Sequence, residues 1–154
     1  MNFKIRAAET KDYATILDLV REAFSSTERG GQPEVEIVQS TWLLDASLPE
    51  LELVAVDDDR VVGHILGARG QLEELDVVAV APLSVVPNRQ RQGIGSSLMA
   101  ELLSRAEALH WPLVALLGDP GYYGPLGFEP ASQYGIFYRQ AGEHDPNFQL
   151  HRLS

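Results

Sequence analysis

Residues Leu83 to Leu98 read LSVVPNRQRQGIGSSL and join an apolar strand to an amphipathic helix through a basic, glycine-containing turn. Gly93 and Gly95 have no side chains that would shield the amides of the first helical turn. Those amides lack intrahelical partners, and the helix dipole adds partial positive charge at the same end. Such a helix end suits a phosphate or pyrophosphate, and Arg89 and Arg91 add full positive charge beside it. The run therefore predicts a site for a phosphorylated ligand.

Three phosphate-binding patterns can be compared with this turn. The chain contains no Gly-x-x-x-x-Gly-Lys-Ser/Thr, which argues against a P-loop nucleotidase. A dinucleotide-binding turn needs a third glycine at the position of Leu98. The acyl-CoA pyrophosphate pattern, Gln/Arg-x-x-Gly-x-Gly/Ala, is matched at every fixed position from Gln90 to Gly95. A glycine turn with a structural role alone remains the alternative, because short glycine motifs often occur by chance.

With this turn, the run from Leu83 to Leu98 resembles motif A of the GNAT superfamily of acyl-CoA N-acyltransferases. The segment YYGPLGFEP, from Tyr122 to Pro130, is similar to the family's Tyr-x-x-x-Gly-Phe element and has Tyr123 in the tyrosine position. The two motifs stand in the family's order, and the resemblance is sharpest between about Ala81 and Ala131. The chain departs from the family in a short connection, Gly118 to Gly121, where many relatives have a longer helix that bears an asparagine.

Composition is that of a soluble globular enzyme. The length of 154 residues predicts a single domain, 1–154, which the resemblance implies is an N-acetyltransferase domain, and 45% hydrophobic and 22% charged residues are an ordinary globular composition. Without cysteine, neither a disulfide framework nor a thiolate metal site can form. The net charge of −10 disfavours nucleic acid as a partner and mildly favours a cationic or amine acceptor. With no signal peptide and no apolar run near the roughly 18 residues of a membrane span, we expect a cytoplasmic protein without a membrane partner.

The predicted fold is α/β (α+β), a GNAT-like domain in which helices cover both faces of a mixed, mostly antiparallel central sheet. The segment Asp76–Val86 is apolar almost throughout, as expected of a central strand buried on both faces. Pro82 conflicts with this assignment because proline cannot donate to a ladder. A bulge near Pro82 resolves the conflict, and the resemblance implies a strand that splays from its neighbour there. An ordinary edge strand is the alternative.

The resemblance implies acetyl-CoA as the acyl donor. Backbone amides of the turn would bind its pyrophosphate, and the Val85 backbone would pair with the amide-rich pantetheine arm as an added strand does. An amide at Val85 or Val86 would polarise the thioester carbonyl. The predicted cofactor-binding residues are Val85, Val86, Gln90, Arg91, Gln92, Gly93, Gly95 and Ser96. No metal ligand is predicted, because the histidines (His64, His110, His144 and His151) lack the spacing of a metal site.

The predicted catalytic residues are Tyr123, Glu73 and Glu74. The register of Tyr123 before the Gly-Phe pair makes its hydroxyl the candidate general acid for the departing thiolate, with a packing role as the alternative. Tyr122 is expected to be silent in catalysis. Glu73 and Glu74, with Asp76 beside them just before the central strand, are candidate bases for the amine, although each acid taken alone is more typical of a solvated surface position.

The resulting hypothesis is acetyl transfer from acetyl-CoA to a primary amine, either a small molecule or a peptide, within a ternary complex. Direct transfer is expected because there is no cysteine to carry the acyl group and no serine in a nucleophile elbow. His64 is either a proton relay or structural. The alternatives are a non-catalytic acyl-CoA sensor and an interaction module with the same fold. The acceptor, the acyl chain preference and the oligomeric state, a homodimer included, stay open.

Overall fold

The structure, a computed structural model, describes residues 2–136 and 145–154. Short 3-10 turns link several of its helices and strands. In chain order the elements are β1 (Lys4–Ala7), α1 (Tyr13–Ala23), α2 (Gln32–Leu43), β2 (Ser47–Asp57), β3 (Arg60–Leu72), β4 (Leu75–Val85), α3 (Ile94–Ala108), β5 (Leu113–Leu117), α4 (Pro120–Tyr123), β6 (Glu129–Pro130) and β7 (Phe148–Arg152). None of the helices in these two ranges combines the length and hydropathy that a membrane span requires.

The strands form a seven-stranded sheet in the order β1-β2-β3-β4-β5-β7-β6. Among the strands that the structure describes, only β4 and β5 pair in parallel, and the other neighbours are antiparallel. The predicted mixed, mostly antiparallel sheet is therefore confirmed. β3 is longer than its apolar pattern indicates, because it continues to Leu72 as one arm of a hairpin with β4. Glu73 and Glu74 form the turn of that hairpin, with Glu73 at a φ of 55°.

Helices pack on both faces of the sheet, and the alternation of side chains along each strand decides which helix a residue meets. One apolar cluster joins α3 to the sheet and includes Leu53, Ile65, Leu98 and Leu102. A second cluster joins α1 and α2 to the opposite face and includes Val54, Leu66, Ile16 and Val38. Residues adjacent in β2 and in β3 thus fall into opposite clusters, as a period of two requires.

Strand β4 separates from β5 halfway along its length. The two strands pair only from Val78 to Val80, whereas β4 stays paired with β3 to Val85. The register against β3 shifts between Ile65 and Gly67, which leaves one extra residue on β4 at the Ala81–Pro82 step. The bulge expected at Pro82 is therefore present, as is the splay, because a residue without an N–H cannot extend the ladder.

Candidate active site

The turn before α3 leaves backbone amides free at the start of that helix. Gly93 is the N-cap residue of α3 with a φ of 86°, and it has no side chain to cap the helix. The first amide with a helical partner is that of Ser97, which donates to the Gly93 carbonyl at 3.0 Å. The amides of Ile94, Gly95 and Ser96 are therefore available to a ligand, with the helix dipole behind them.

A cavity of about 280 Å³ lies against this turn, and we call it the turn cavity. It is lined by Leu83, Val85, Arg89, Gln90, Arg91, Gly93, Gly95, Ser96 and Tyr122. Six of the predicted cofactor-binding residues are in this set, and Val86 and Gln92 are not. The Val86 amide donates to the Val62 carbonyl at 3.0 Å, so it is used by the sheet. The Gln92 side chain instead bonds Arg89 at 3.0 Å.

The free edge of β4 faces the turn cavity with its backbone. In an antiparallel pair, residues alternate between those whose N–H and C=O face the partner strand and those whose groups face away. The Val86 to Val62 bond makes Gly63 and Val85 a non-hydrogen-bonded pair, and Ile65 and Leu83 are the next such pair. The backbone groups of Leu83 and Val85 therefore point away from β3, toward the splay. The side-chain amide of Gln90 donates to the Val85 carbonyl at 3.0 Å.

The two arginines of the turn differ in their partners. Arg89 donates from Nη1 to Oδ2 of Asp57 at 2.7 Å, and each of these side chains is 25% exposed. This ion pair ties the turn to the end of β2. Arg91 is exposed, has a φ of 63°, and makes no ion pair with any other described residue. Arg91 is thus the one of the pair whose charge is fully available at the cavity.

Tyr122 and Tyr123 lie side by side on α4 but line different cavities. A Cβ built on Gly95 would lie 2.5 Å from the Tyr122 hydroxyl, so this hydroxyl rests on the first turn of α3. The Tyr123 ring packs edge to face with Phe128, at 5.8 Å between centroids, and would collide with any side chain at Gly118. The short glycine connection thus makes room for the Tyr123 ring. Tyr122 lies at the turn cavity, and its silence in catalysis stays a prediction.

Burial raises the pKa of Tyr123 to about 12. Its hydroxyl is therefore fully protonated at neutral pH. The Tyr123 hydroxyl makes no hydrogen bond within the described residues. The group is available as a hydrogen-bond or proton donor.

A second cavity, of about 630 Å³, lies over the face of the sheet that carries α1 and α2, and we call it the sheet cavity. Leu83 lines both cavities, so they adjoin at the free edge of β4. Tyr123 lines the sheet cavity beside Gly118 and Asp119. The Asp119 carboxylate caps α4 by accepting a bond from the Gly121 amide at 2.9 Å.

The structure places the predicted acids Glu73 and Glu74 exposed at the tip of the β3–β4 hairpin, and neither lines a described cavity. Asp76 accepts a bond from Gln71 at 3.1 Å and lies 3.6 Å from Arg69. Two carboxylates line the sheet cavity: Asp119, which caps α4, and Glu34, in the first turn of α2. Sequence reasoning missed Glu34, since a lone acid at a helix start gives no signal beyond favourable placement against the dipole.

His64 is fully buried between β2 and β4 and lines neither cavity. Its Nε2 lies 2.9 Å from Oε2 of Glu52, which also accepts from the Trp42 indole at 2.9 Å. This network links β3, β2 and α2. His110 and His151 also line neither cavity, and His144 lies outside the described residues.

Known proteins resemble this chain over most of its length. A family model described as an acetyltransferase (GNAT) domain matches residues 4–131. The uncharacterized N-acetyltransferase YhbS of Escherichia coli K12 is 32% identical over 139 residues, which are 88% of this chain and 78% of that protein. The uncharacterized N-acetyltransferase YjhQ of the same strain is 28% identical over 135 residues, 85% of this chain and 72% of that protein.

Solved structures match as well. The crystal structure of Escherichia coli YhbS in complex with CoA has a TM-score of 0.89 and 29% identity, and the match covers 100% of this chain and 83% of that one. A GNAT family acetyltransferase from Brucella melitensis, in complex with acetyl-CoA, has a TM-score of 0.82 and 28% identity, covering 99% and 89%. The sequence motifs, the splayed strand and these matches agree, and this protein belongs to the GNAT family of acetyltransferases.

Proposed function

We propose that this protein transfers an acetyl group from acetyl-CoA to a primary amine, directly and within a ternary complex. The observation that carries the proposal is the meeting of two cavities at Leu83, on the free edge of β4. One cavity has the free amides of a helix start, and the other is larger and contains Tyr123. A donor bound in the first and an acceptor bound in the second would meet at the splay.

The turn cavity fits the phosphate-bearing part of acetyl-CoA. The amides of Gly95 and Ser96 have no helical partner at this cavity, where the Tyr122 hydroxyl also lies, and Arg91 adds an unpaired positive charge. The outward backbone groups of Leu83 and Val85 suit the amides of the pantetheine arm. The Gln90 side chain, which donates to the Val85 carbonyl in this structure, would release that carbonyl so that it could accept a hydrogen bond from the arm. YhbS and the Brucella melitensis enzyme, which bind CoA and acetyl-CoA, support this assignment.

Tyr123 is proposed to assist departure of the CoA sulfur. Acetyl-CoA supplies a thioester, whose carbonyl carbon gains a bond from the amine nitrogen and loses its bond to sulfur. The protonated Tyr123 hydroxyl donates its proton to that sulfur. The proton that the amine loses then returns the Tyr123 hydroxyl to its protonated state. Val85, with its amide facing the splay, is the better of the two predicted donors to the thioester oxygen, because Val86 uses its amide in the sheet.

The candidates for the group that accepts the proton of the amine are chosen because they are carboxylates, and neither of them contacts the proposed acceptor cavity. Glu73 and Glu74 remain predictions for this role, and a water relay would be needed from their exposed position. No carrier residue is invoked, because the chain has no cysteine. Direct transfer requires donor and acceptor to be bound together, which two adjoining cavities allow.

The proposal is tested by calorimetry and by release of free CoA. Acetyl-CoA should bind the protein, and a panel of primary amines should reveal acceptors that release CoA. Gly93→Glu should lose most of the affinity for acetyl-CoA, because its carboxylate would occupy the pyrophosphate site and add like charge. The variant should keep the fold but lose some stability, since Gly93 has a φ of 86° that suits glycine. Binding without turnover for any amine would favour an acyl-CoA sensor. Unchanged affinity in folded Gly93→Glu would refute the site.

A further inference from the structure

The sheet cavity is largely apolar. Val77 and Ala79 of β4 line it from the sheet, and Phe24 lines it from the end of α1. Two further apolar lining residues, Ile37 and Leu117, are 44% and 50% exposed. Exposed apolar side chains around a concave surface of this size are typical of a ligand site. The body of the ligand is therefore expected to be apolar.

Glu34 introduces a negative charge into this apolar surface. Val35 and Val38, which are 1% and 0% exposed, anchor α2 on the sheet and fix the position of Glu34. Glu34 and Ile37 are three residues apart, on the same side of the helix, and both line the cavity. Oε1 of Glu34 is withdrawn from solvent and has no hydrogen-bond partner among the described residues.

Several other carboxylates among the described residues are paired. Asp12, Asp57 and Glu101 each contact an arginine at 2.7 to 2.9 Å. Asp119, the other acid of the cavity, is engaged by the Gly121 amide. Within the described part of the chain, Glu34 is the one acid with a buried, unpaired carboxylate oxygen. Such an oxygen costs free energy that a cationic ligand would recover.

We infer that the sheet cavity takes a primary amine on an apolar body, with Glu34 holding its ammonium group, and that it rejects an amine bearing a carboxylate. The inference rests on the proposed function for the identity of the site and adds the class of acceptor. No lysine, arginine or histidine is found among the described residues that line the cavity. A ligand carboxylate would meet Glu34 and Asp119 without a counter-charge.

The test measures amine binding to the enzyme–CoA complex, in which no transfer can occur. 2-Phenylethylamine and L-phenylalanine share one apolar body and differ by a carboxylate, so they form a matched pair of probes. We expect 2-phenylethylamine to bind and L-phenylalanine to bind at least tenfold more weakly. Glu34→Gln should weaken binding of 2-phenylethylamine by roughly 10- to 100-fold, the usual worth of a charge-assisted hydrogen bond, while CoA affinity stays unchanged.

Glu36→Gln is the matched control, because Glu36 lies on the same helix, is exposed and lines a different surface. It should bind both amines as the parent does. Glu34→Asp keeps the charge on a shorter side chain and should fall between the parent and Glu34→Gln. Intact CoA affinity reports that each variant is folded.

Equal binding of 2-phenylethylamine by the parent and Glu34→Gln would overturn the inference, as would equal binding of the two probes by the parent. So would failure of the parent to bind 2-phenylethylamine while CoA binds normally. Amine binding that depends on Glu34, without any acetyl transfer from acetyl-CoA, would leave the inference standing and refute the proposed function. Acetyl transfer that is unchanged in Glu34→Gln would support the proposed function and overturn the inference.

Discussion

At the scale of single residues, two adjacent tyrosines have different surroundings. The Tyr122 hydroxyl rests on Gly95 at the start of α3, in the turn cavity. The Tyr123 ring packs against Phe128 and fills the space that a side chain at position 118 would need, and it lines the sheet cavity. The two neighbouring tyrosines thus line cavities on opposite sides of the splay. Their variants should therefore have separable effects on kcat and on the affinity for acetyl-CoA.

Tyr123→Phe should lower kcat by something like 10²- to 10⁴-fold, the usual worth of a general acid, because it removes only the hydroxyl that is proposed to donate to the departing sulfur. Affinity for acetyl-CoA should change little, since the ground-state thioester gains little from that bond. Tyr134→Phe is the control, because the Tyr134 hydroxyl bonds Glu129 at 2.9 Å and lines neither cavity. A kcat equal to that of the parent would remove Tyr123 from the mechanism.

Tyr122→Phe should raise the Kd for acetyl-CoA a few-fold and leave kcat nearly unchanged. Its hydroxyl lies against the helix start that is proposed to receive the pyrophosphate. Calorimetry with acetyl-CoA and steady-state rates with the acceptor separate the two effects. A large loss of kcat here, with none in Tyr123→Phe, would exchange the roles of the two residues.

The pH dependence follows from the raised pKa of Tyr123, which is about 12. In the proposed mechanism the protonated hydroxyl is the active form, so activity due to Tyr123 would be present below that pKa and lost as the pH rises through it. We expect no decline in kcat from tyrosine ionisation between pH 7 and roughly pH 10. A pH–rate profile with an alkaline limb near neutral pH, absent in Tyr123→Phe, would contradict this assignment.

At the scale of elements, the two arginines of the turn between β4 and α3 differ in role: Arg89 forms an ion pair with Asp57 of β2, and the charge of Arg91 is exposed at the turn cavity. Arg91→Ala should raise the KM for acetyl-CoA and flatten its dependence on salt, because exposed charge attraction is screened. Arg89→Ala should flatten the salt dependence less, since Asp57 already balances Arg89. Steady-state KM values at several salt concentrations measure both. Equal salt slopes for the two variants would show that the pairing in the structure does not govern steering.

The start of α1 is joined to β1 by a single buried carboxylate. Asp12 accepts two bonds from Arg6, at 2.7 and 3.0 Å, and one from the Glu9 amide at 2.8 Å. The Arg6 hydrogen bonds, together with that amide, lower the pKa of Asp12. The lowered pKa means that this stabilisation is present above the ordinary aspartate pKa and is lost as the pH falls through the folded-state value.

Asp12→Asn should therefore lower the free energy of unfolding by about 1–3 kcal/mol at pH 7. Arg6 is 37% exposed, which favours the lower end of that range. The difference between variant and parent should shrink as the pH is lowered through the folded-state pKa of Asp12. Urea unfolding at several pH values measures it, and a difference independent of pH would assign the effect to packing.

At the scale of the whole molecule, a buried polar network holds α2 on the sheet. Glu52, 3% exposed, contacts both the His64 imidazole and the Trp42 indole. Glu52→Ala should lower the free energy of unfolding by about 3–5 kcal/mol, because both ring nitrogens lose their buried partner. Glu50→Ala, at an exposed position of the same strand, should change it by less than about 0.5 kcal/mol. Denaturant titration measures the free energy of unfolding of both variants, and equal losses of that free energy would refute a stabilising role for the network.

Much of the fold and of the turn site could be predicted from the sequence, because the features involved are local. The apolar run before Val86, the glycines at 93 and 95, and the register of Tyr123 against Gly127 and Phe128 are set by short spacings. Even the bulge at Pro82 follows from one residue, since proline lacks the N–H that the ladder needs. These local patterns determined the family, the sheet and the position of the predicted phosphate site.

Tertiary structure alone decided which side chains share a cavity. Asp57 neutralises Arg89 across 32 positions of sequence, and the hairpin of β3 and β4 carries Glu73 and Glu74 away from the cavities. Glu34 reaches the sheet cavity because α2 packs on the face that also bears Val77 and Ala79. Each outcome depends on contacts between residues far apart in the chain, which the spacing of neighbouring residues does not encode.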